Sequence, residues 1–315
     1  MDALPLDLSN PAVKFYLALV RLQVLTPLSL LINVAAIITC AFVANPSIAG
    51  VARLHPTSIT PNSHAISAYV GLIWLGQLGY CVLLVFARKE ETKKAMVNAV
   101  GLALVFANVV MALWAVAFVM QWFLLSTILQ GILLLLLLFS NIALLIYHQP
   151  VSSRPLDTAL IHAPLRFFLI LPLNILFALC LFIALGLSYT PTPPGPPRDP
   201  NDYHAMSAFG VVLCTNLLSL VVIAVRRDIV CCVAATWLAV SLWTARPKPA
   251  SVYMTAIIFT VLHPLALVVA ICYRQCFPQT TRIALTGDER ALHPNADGHP
   301  NVERGPREVD DETWG

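Results

Sequence analysis

Seven neutral side chains inside long apolar stretches have the types and spacing of a ligand-binding site. They offer indole, phenol and amide groups, which can hydrogen-bond an uncharged molecule without placing an ion in apolar surroundings. The seven residues are Trp74, Gln77, Tyr80, Asn108, Trp114, Gln130 and Asn141. We expect them to line a site for a neutral hydrophobic or amphipathic small molecule within a helix bundle.

The richest of these stretches, residues 64–86, contains no charged side chain. At about 100° per residue, Trp74 and Gln77 fall on one arc of a helix, and Gly76 and Gly79 fall on the opposite arc. One face therefore presents an indole and an amide, while the other lets a neighbouring helix approach closely. We expect that neighbour to be the third apolar span, which carries a ridge of small residues. The ridge consists of Ala95, Ala99, Ala103 and Ala107.

Other polar residues inside apolar stretches have two interpretations. Gln130 and Asn141 lie within about 20° of one line along the fourth span, together with His148. This face either hydrogen-bonds neighbouring helices or binds a ligand. Asn174, Asn216 and His263 are further deep polar residues. Because His263 precedes a proline, we expect a core histidine beside a helix kink there.

Ionisable groups are missing where transport and catalysis need them. All sixteen acidic residues lie in loops, at span ends or in the tails, and no Lys or Arg lies near the middle of a span. Proton-coupled carriers, pumps and cation channels generally need such groups at membrane depth, so these classes are not expected. No catalytic or phosphate-binding motif is present, and we expect neither a metal nor a cofactor. An enzymatic function is therefore the least supported.

The composition is that of a membrane protein. Of 315 residues, 58% are hydrophobic and 11% are charged, against about 25% charged in an ordinary soluble domain. No basic patch with interleaved aromatic residues suggests a nucleic-acid partner. The apolar runs predict an all-α polytopic transmembrane bundle of about eight spans in a lipid bilayer. The spans are placed at about 22–44, 66–87, 95–120, 122–147, 165–188, 205–225, 229–245 and 252–273.

The basic residues predict the orientation of the chain. With eight spans, one side of the membrane holds twelve Lys and Arg residues close to span ends, and the other side holds four. Because cytosolic loops carry the excess of basic residues, both termini are predicted to be cytosolic. The organelle is not indicated.

The same reading divides the chain into five parts. They are a cytosolic N-terminal segment (1–21), a five-span membrane bundle (22–188), a proline-rich non-cytosolic loop (189–204), a three-span membrane segment (205–275) and a disordered cytosolic tail (276–315). The acidic end of the tail suits a protein partner. Cys272 and Cys276 lie at a span end, a position at which cysteines can be palmitoylated.

Several of these residues resemble a family of fungal multi-pass membrane proteins catalogued as a domain of unknown function. The likeness rests on residues 60–64, Tyr69, the series Trp74, Gln77 and Tyr80, and the charged loop 88–94. The resemblance implies kinship over most of residues 20–275 and no particular activity.

More distantly, Pro61, Trp74 and Tyr80 resemble an element of the tryptophan-rich sensory protein/translocator (TspO/MBR) family. Members of that family have five helices and bind porphyrins and sterol-like ligands. The resemblance implies an apolar-ligand cavity near Trp74 and Trp114. The spacing from Trp74 to Tyr80 is longer than in the family, and three additional spans follow the first five. A structural or adaptor protein that presents its tail to partners is the alternative function.

Overall fold

The computed structural model describes residues 10–147, 158–189 and 204–276, and these ranges fold into helices joined by short loops. The all-α fold class is confirmed, because the described ranges contain no strand. The predicted disordered tail and nearly all of the proline-rich loop lie outside the described residues. By its contacts the chain divides into residues 1–273 and 274–315, and the packing below concerns the first unit.

Each of the eight predicted spans corresponds to a helix. One additional short helix lies in the loop after the first span. The helices are α1 (Pro11–Val43), α2 (Ile48–Leu54), α3 (Ser63–Phe86), α4 (Glu90–Val119), α5 (Phe123–Tyr147), α6 (Thr158–Ala184), α7 (Ala205–Arg226), α8 (Ile229–Trp243) and α9 (Ala250–Cys276). Seven of these are long and apolar enough to cross a bilayer, whereas α8 has only 15 residues.

The first helix begins well before the predicted start at residue 22. Asn10 caps it, since its Oδ1 accepts a hydrogen bond from the Ala12 amide at 2.9 Å. Pro11 follows at the first helical position, where its fixed φ suits a helix and its missing N–H leaves no bond unmade. The sequence contains this start signal in Asn10 and Pro11. The hydropathy of residues 11–21 alone does not indicate where the helix begins.

Wide π-helical turns interrupt two long helices, α4 and α6, away from their ends. In α4 the turn covers Ala95–Val100 and ends at Gly101, which has a φ of +45° that favours glycine. In α6 a second turn covers Pro172–Leu176, starting at a proline that cannot donate to the regular helical ladder. Asn174, inside that turn, donates from Nδ2 to Ser219 Oγ of α7 at 3.4 Å. The interruption therefore places a polar side chain against the next span.

The glycine face of α3 packs against α6, so the predicted partner was wrong. A methyl group on Gly76 would lie 2.8 Å from Pro164 Cγ, and one on Gly79 would lie 2.8 Å from Leu160 Cδ2. The alanine ridge of α4 packs elsewhere: Ser140 Oγ of α5 donates to Ala99 O at 3.5 Å. Small residues on two helices permit close approach, but they do not determine which helices meet.

The six consecutive leucines of α5 divide between core and lipid. Leu133 and Leu137 are fully buried, whereas Leu135 is 66% exposed and Leu138 is 43% exposed. The spacing of four places the buried pair on one side of the helix. Large apolar side chains remain exposed in the same way on most long helices, as expected for helices that face lipid.

Candidate functional site

Three buried amides form a hydrogen-bonded chain between α1, α3 and α4. Asn33 Nδ2 donates to Asn108 Oδ1 at 3.0 Å, and Asn108 Nδ2 donates to Gln77 Oε1 at 2.8 Å. All three side chains are buried. We call Asn33, Asn108 and Gln77 the amide chain. It joins two predicted site residues, Gln77 and Asn108, through a direct contact.

The amide chain has a free hydrogen-bonding group at each end. Among the described residues, Asn33 Oδ1 and Gln77 Nε2 are buried without a hydrogen-bond partner. Rotating all three amides by 180° would reverse the direction of both hydrogen bonds. It would again leave one free donor and one free acceptor. One end can therefore donate a hydrogen bond to a ligand, and the other end can accept one.

The inward face of α1 positions Asn33. Its buried residues include Thr26, Ser29, Leu30 and Asn33, and these spacings of three and four residues fall on one side of a helix. Ser29 Oγ donates to Thr26 O at 2.9 Å, so this hydroxyl is satisfied within its own helix. Asn33 instead reaches across to α4, where Asn108 is fully buried.

Another side of α4 carries the indole that the sequence singled out. Trp114 Nε1 donates to Cys180 Sγ of α6 at 3.2 Å. The Trp114 ring stacks on Phe118, with ring centroids 5.5 Å apart. Gln130 of α5 approaches the same helix, and its Nε2 lies 3.8 Å from Met111 Sδ. Gln130 Oε1 is buried without a partner among the described residues.

Within the described ranges, the remaining predicted site residues form no hydrogen bond with the amide chain. Asn141 Nδ2 donates to Leu137 O at 2.8 Å and to Leu165 O at 3.4 Å, which joins α5 to α6. Tyr80 is buried, and Trp74 is partly exposed. Within the described ranges, Gln77 and Asn108 are the only two of the seven predicted side chains that are hydrogen-bonded to each other.

Two cavities on the bundle do not include these residues. One, of about 660 Å³, lies between the end of α1 and α2, and Phe42 and Arg53 are part of its lining. The other, of about 450 Å³, lies between α1, α4 and α5. None of the seven predicted side chains lines either cavity. Neither of these two cavities therefore opens onto the amide chain.

Comparison with known protein families matches residues 22–191 to the family described as TSPO-like protein. That match covers more than half of the chain. The chain belongs to the TSPO-like family. The more distant of the two resemblances is therefore confirmed, and the fungal family stays a resemblance. Comparison with curated proteins and with solved structures finds no match.

The TSPO-like region contains most of α1 and all of α2 to α6, so α7, α8 and α9 lie outside the match. Aromatic contacts join the two parts. Trp237 Nε1 of α8 donates to Ala65 O of α3 at 3.0 Å. Within the matched region, Tyr69 OH donates to Phe167 O of α6 at 2.9 Å. The Tyr69 and Trp237 rings meet edge to face, with centroids 6.2 Å apart.

A second polar group connects α7 and α9 of the TSPO-like protein. His263 Nε2 lies 3.3 Å from Asn216 O, and Asn216 Nδ2 donates to Val212 O at 2.8 Å. His263 is fully buried, as the core interpretation of this histidine predicted. In the described ranges no three His, Cys, Asp or Glu side chains lie close enough together to hold a metal ion.

The buried ion pair between Arg166 of α6 and Asp228, just before α8, was not predicted from the sequence. It lies on the side of the bundle that is predicted to be cytosolic. Arg166 Nη1 and Asp228 Oδ2 lie 2.5 Å apart, with the two side chains only 12% and 6% exposed. Both residues lie at span ends, where charged side chains are usually solvated. The run Arg226, Arg227, Asp228 offered one signal, because an acid before an apolar run is typical of a helix N-cap.

Sequence reasoning also missed Lys248, in the loop between α8 and α9. Its Nζ donates to Ser58 O at 3.0 Å and to Thr60 O at 2.7 Å. Burial lowers the pKa of Lys248 to about 7, because removing water disfavours the charged form. Tyr189 OH donates to Ser58 Oγ at 3.0 Å in the same region. Lys248 thereby connects the loop between α8 and α9 to the loop between α2 and α3 through two hydrogen bonds.

Proposed function

We propose that this TSPO-like membrane protein binds a neutral hydrophobic or amphipathic small molecule at the amide chain. The supporting observation is the free donor and free acceptor at Gln77 and Asn33. Leaving a buried polar group without a partner costs about 1–3 kcal/mol. A ligand hydroxyl can satisfy both kinds of group, because it donates one hydrogen bond and accepts others.

The surroundings of the amide chain favour an uncharged ligand. Its three members are neutral amides, and the buried groups near it on α1, Thr26 and Ser29, are hydroxyls. The buried carboxylate of Asp228 lies at the start of α8 and is already paired with Arg166. An ion at the amide chain would lack a counter-ion there, and burying an unpaired ion is unfavourable by far more than burying a hydroxyl.

A ligand dissolved in the bilayer can approach both ends of the amide chain. Asn33 and Gln77 belong to α1 and α3, whose outer faces carry exposed leucines such as Leu31 (64% exposed) and Leu75 (70% exposed). Separation of α1 from α3 would open the site towards lipid. In this proposal Trp74, one turn before Gln77, lies at the edge of the site, and Tyr80, Trp114, Gln130 and Asn141 remain candidates for its wall.

A fluorescent sterol tests the proposal. Dehydroergosterol is neutral, has one hydroxyl and accepts excitation energy from tryptophan, of which the chain has six. We expect saturable energy transfer in protein-containing lipid nanodiscs, with affinity about tenfold weaker in Gln77→Leu and in Asn33→Leu. This loss corresponds to one hydrogen bond of about 1.4 kcal/mol.

Asn216→Leu is the matched control, because Asn216 Nδ2 bonds the backbone carbonyl of Val212 within α7, outside the proposed site. It should bind the sterol as the wild type does. Equal affinity in the wild type, Gln77→Leu and Asn33→Leu would contradict the proposed site. Deleting residues 283–315 should leave binding unchanged. Full loss of the cellular phenotype on that deletion would favour the alternative, in which the tail recruits partners.

We further propose that both termini face the cytosol. The excess of basic residues on one predicted side supports this orientation. Epitope tags at the two ends should become accessible to antibody once the plasma membrane alone is permeabilised. A tag protected until internal membranes are dissolved, or accessible on intact cells, would contradict the orientation.

A further inference from the structure

The cavity of about 450 Å³ between α1, α4 and α5 has one polar end and an apolar body. Its lining includes Ala18, Arg21, Leu22, Asn98, Phe106 and Phe139. We call this cavity the arginine groove. It lies away from the amide chain, and none of the three amides lines it.

Gly101 belongs to the lining of the arginine groove. No atom lies within 4 Å of the place where a Cβ on Gly101 would be. Its φ of +45° follows directly after the π-helical turn Ala95–Val100, and a residue with a side chain is strained in that conformation. The backbone itself therefore forms part of the lining at this point.

The polar end of the groove carries an unpaired cation. Arg21 is exposed, and among the described residues its guanidinium has no ion-pair or hydrogen-bond partner. Asn98 is also exposed and belongs to the same lining. No acidic residue belongs to the lining. The lining thus offers a positive charge to an anion and no negative charge to an ammonium ion.

The depth of these residues matches the layers of a bilayer. Asn33 and Asn108 are hydrogen-bonded, so they lie at one level. Arg21 precedes Asn33 by roughly three turns, about 18 Å along α1, whereas Phe106 is adjacent to the Asn108 level. The apolar core of a bilayer extends about 15 Å from its middle. With the amide chain near mid-membrane, Arg21 lies at headgroup level and Phe106 lies among acyl chains.

We propose that the arginine groove binds an anionic phospholipid, with its phosphate at Arg21 and Asn98 and an acyl chain along Leu22, Phe106 and Phe139. Arginine forms bidentate hydrogen bonds with phosphate oxygens, and the Asn98 amide supplies another donor. The site is independent of the function proposed above, because it uses no residue of the amide chain.

Lipid titration of the full-length, delipidated protein in detergent tests this site. Native mass spectrometry counts the bound lipids and compares phosphatidylglycerol with phosphatidylcholine. We expect one phosphatidylglycerol to bind in preference to phosphatidylcholine, and Arg21→Gln to weaken phosphatidylglycerol binding about fivefold. Ala18→Leu, which adds volume to the lining, should weaken binding of the same lipid without removing a charge.

Arg88→Gln is the matched control, since Arg88 is exposed, lies on the same predicted side and does not line the groove. It should retain the preference for phosphatidylglycerol. Equal losses in Arg21→Gln and Arg88→Gln would overturn the proposal in favour of general surface charge. Competition by soluble glycerol 3-phosphate would also overturn it, because a headgroup alone would then suffice. An unchanged preference in Arg21→Gln would do the same.

Discussion

Asp228 pairs with Arg166 through one carboxylate oxygen and caps α8 with the other. Oδ2 contacts Arg166 Nη1, and Oδ1 accepts hydrogen bonds from the Val230 amide at 3.0 Å and the Cys231 amide at 3.1 Å. Arg166 belongs to the TSPO-like region, whereas Asp228 lies beyond it. One carboxylate therefore joins the family region to the helices that follow.

We expect Asp228→Ala to destabilise the bundle by about 3–5 kcal/mol, because it leaves the largely buried Arg166 unpaired. Asp228→Asn keeps a good capping side chain and removes only the charge, so it should be less damaging than alanine. The fraction of protein that stays monodisperse after heating in detergent measures both effects.

Two further variants separate the ion pair from general sensitivity. The double variant Arg166→Leu with Asp228→Leu should be less damaging than Asp228→Leu alone, since no buried charge is then unpaired. Glu90→Gln removes an exposed partner 3.9 Å from Lys94 and should produce no measurable change. If Asp228→Ala behaved like Glu90→Gln, the pair would have no structural role.

The glycines of α3 should differ in their tolerance of a methyl group. Gly76→Ala brings Cβ to 2.8 Å from the rigid ring of Pro164, and we expect a loss of about 1–3 kcal/mol. Gly79→Ala meets the flexible end of Leu160 and should lose less. At Gly71 nothing lies within 4 Å, so Gly71→Ala should be neutral or stabilising. Thermal stability in the reverse order would refute this packing.

The middle of the amide chain should matter more than its ends. Asn108→Leu removes two hydrogen bonds, whereas Asn33→Leu and Gln77→Leu each remove one. Such bonds contribute about 0.6–2 kcal/mol each between membrane helices. Chemical unfolding in detergent should therefore rank Asn108→Leu as the least stable of the three. Equal stabilities would indicate that the amides do not act as one chain.

Lys248 should make stability rise with pH above neutrality. Its pKa is lowered from 10.5 to about 7 in the folded protein. Between these values the unfolded lysine holds a proton that the folded lysine has released, so raising the pH favours folding. Burial raises the pKa of Tyr189, which keeps this neighbour neutral over most of that interval.

Comparison with Lys248→Met isolates this contribution, since methionine retains a flexible apolar side chain without the amine. The midpoint of thermal unfolding should increase from pH 7 towards pH 10 more steeply in the wild type than in Lys248→Met. Parallel pH profiles would show that Lys248 keeps an ordinary pKa in the folded protein.

Features that depend on one helix were predictable from the sequence. Apolar length identified the spans, and the amides of Gln77 and Asn108 were conspicuous because polar groups are rare inside such stretches. Asn33 was missed because it is an isolated amide on a helix without other deep candidates. Its role depends on the register of α1 against α4, which only the packed bundle determines.

Features that depend on which helices meet were not predictable. The glycine face of α3 could have packed against any small or flat surface, and Pro164 of α6 supplies that surface in place of the alanine ridge. Asp228 is charged and lies in a short loop, so its burial follows from the approach of α6 to α8. Composition and periodicity contain no information about that approach.

The short helix α8 differs in length from the seven helices that can cross a bilayer. Fifteen residues span about 22 Å, which is less than a hydrocarbon layer of about 30 Å. Ile229 and Val233 on this helix are exposed, and an apolar helix of this length matches a thin hydrocarbon layer better than a thick one.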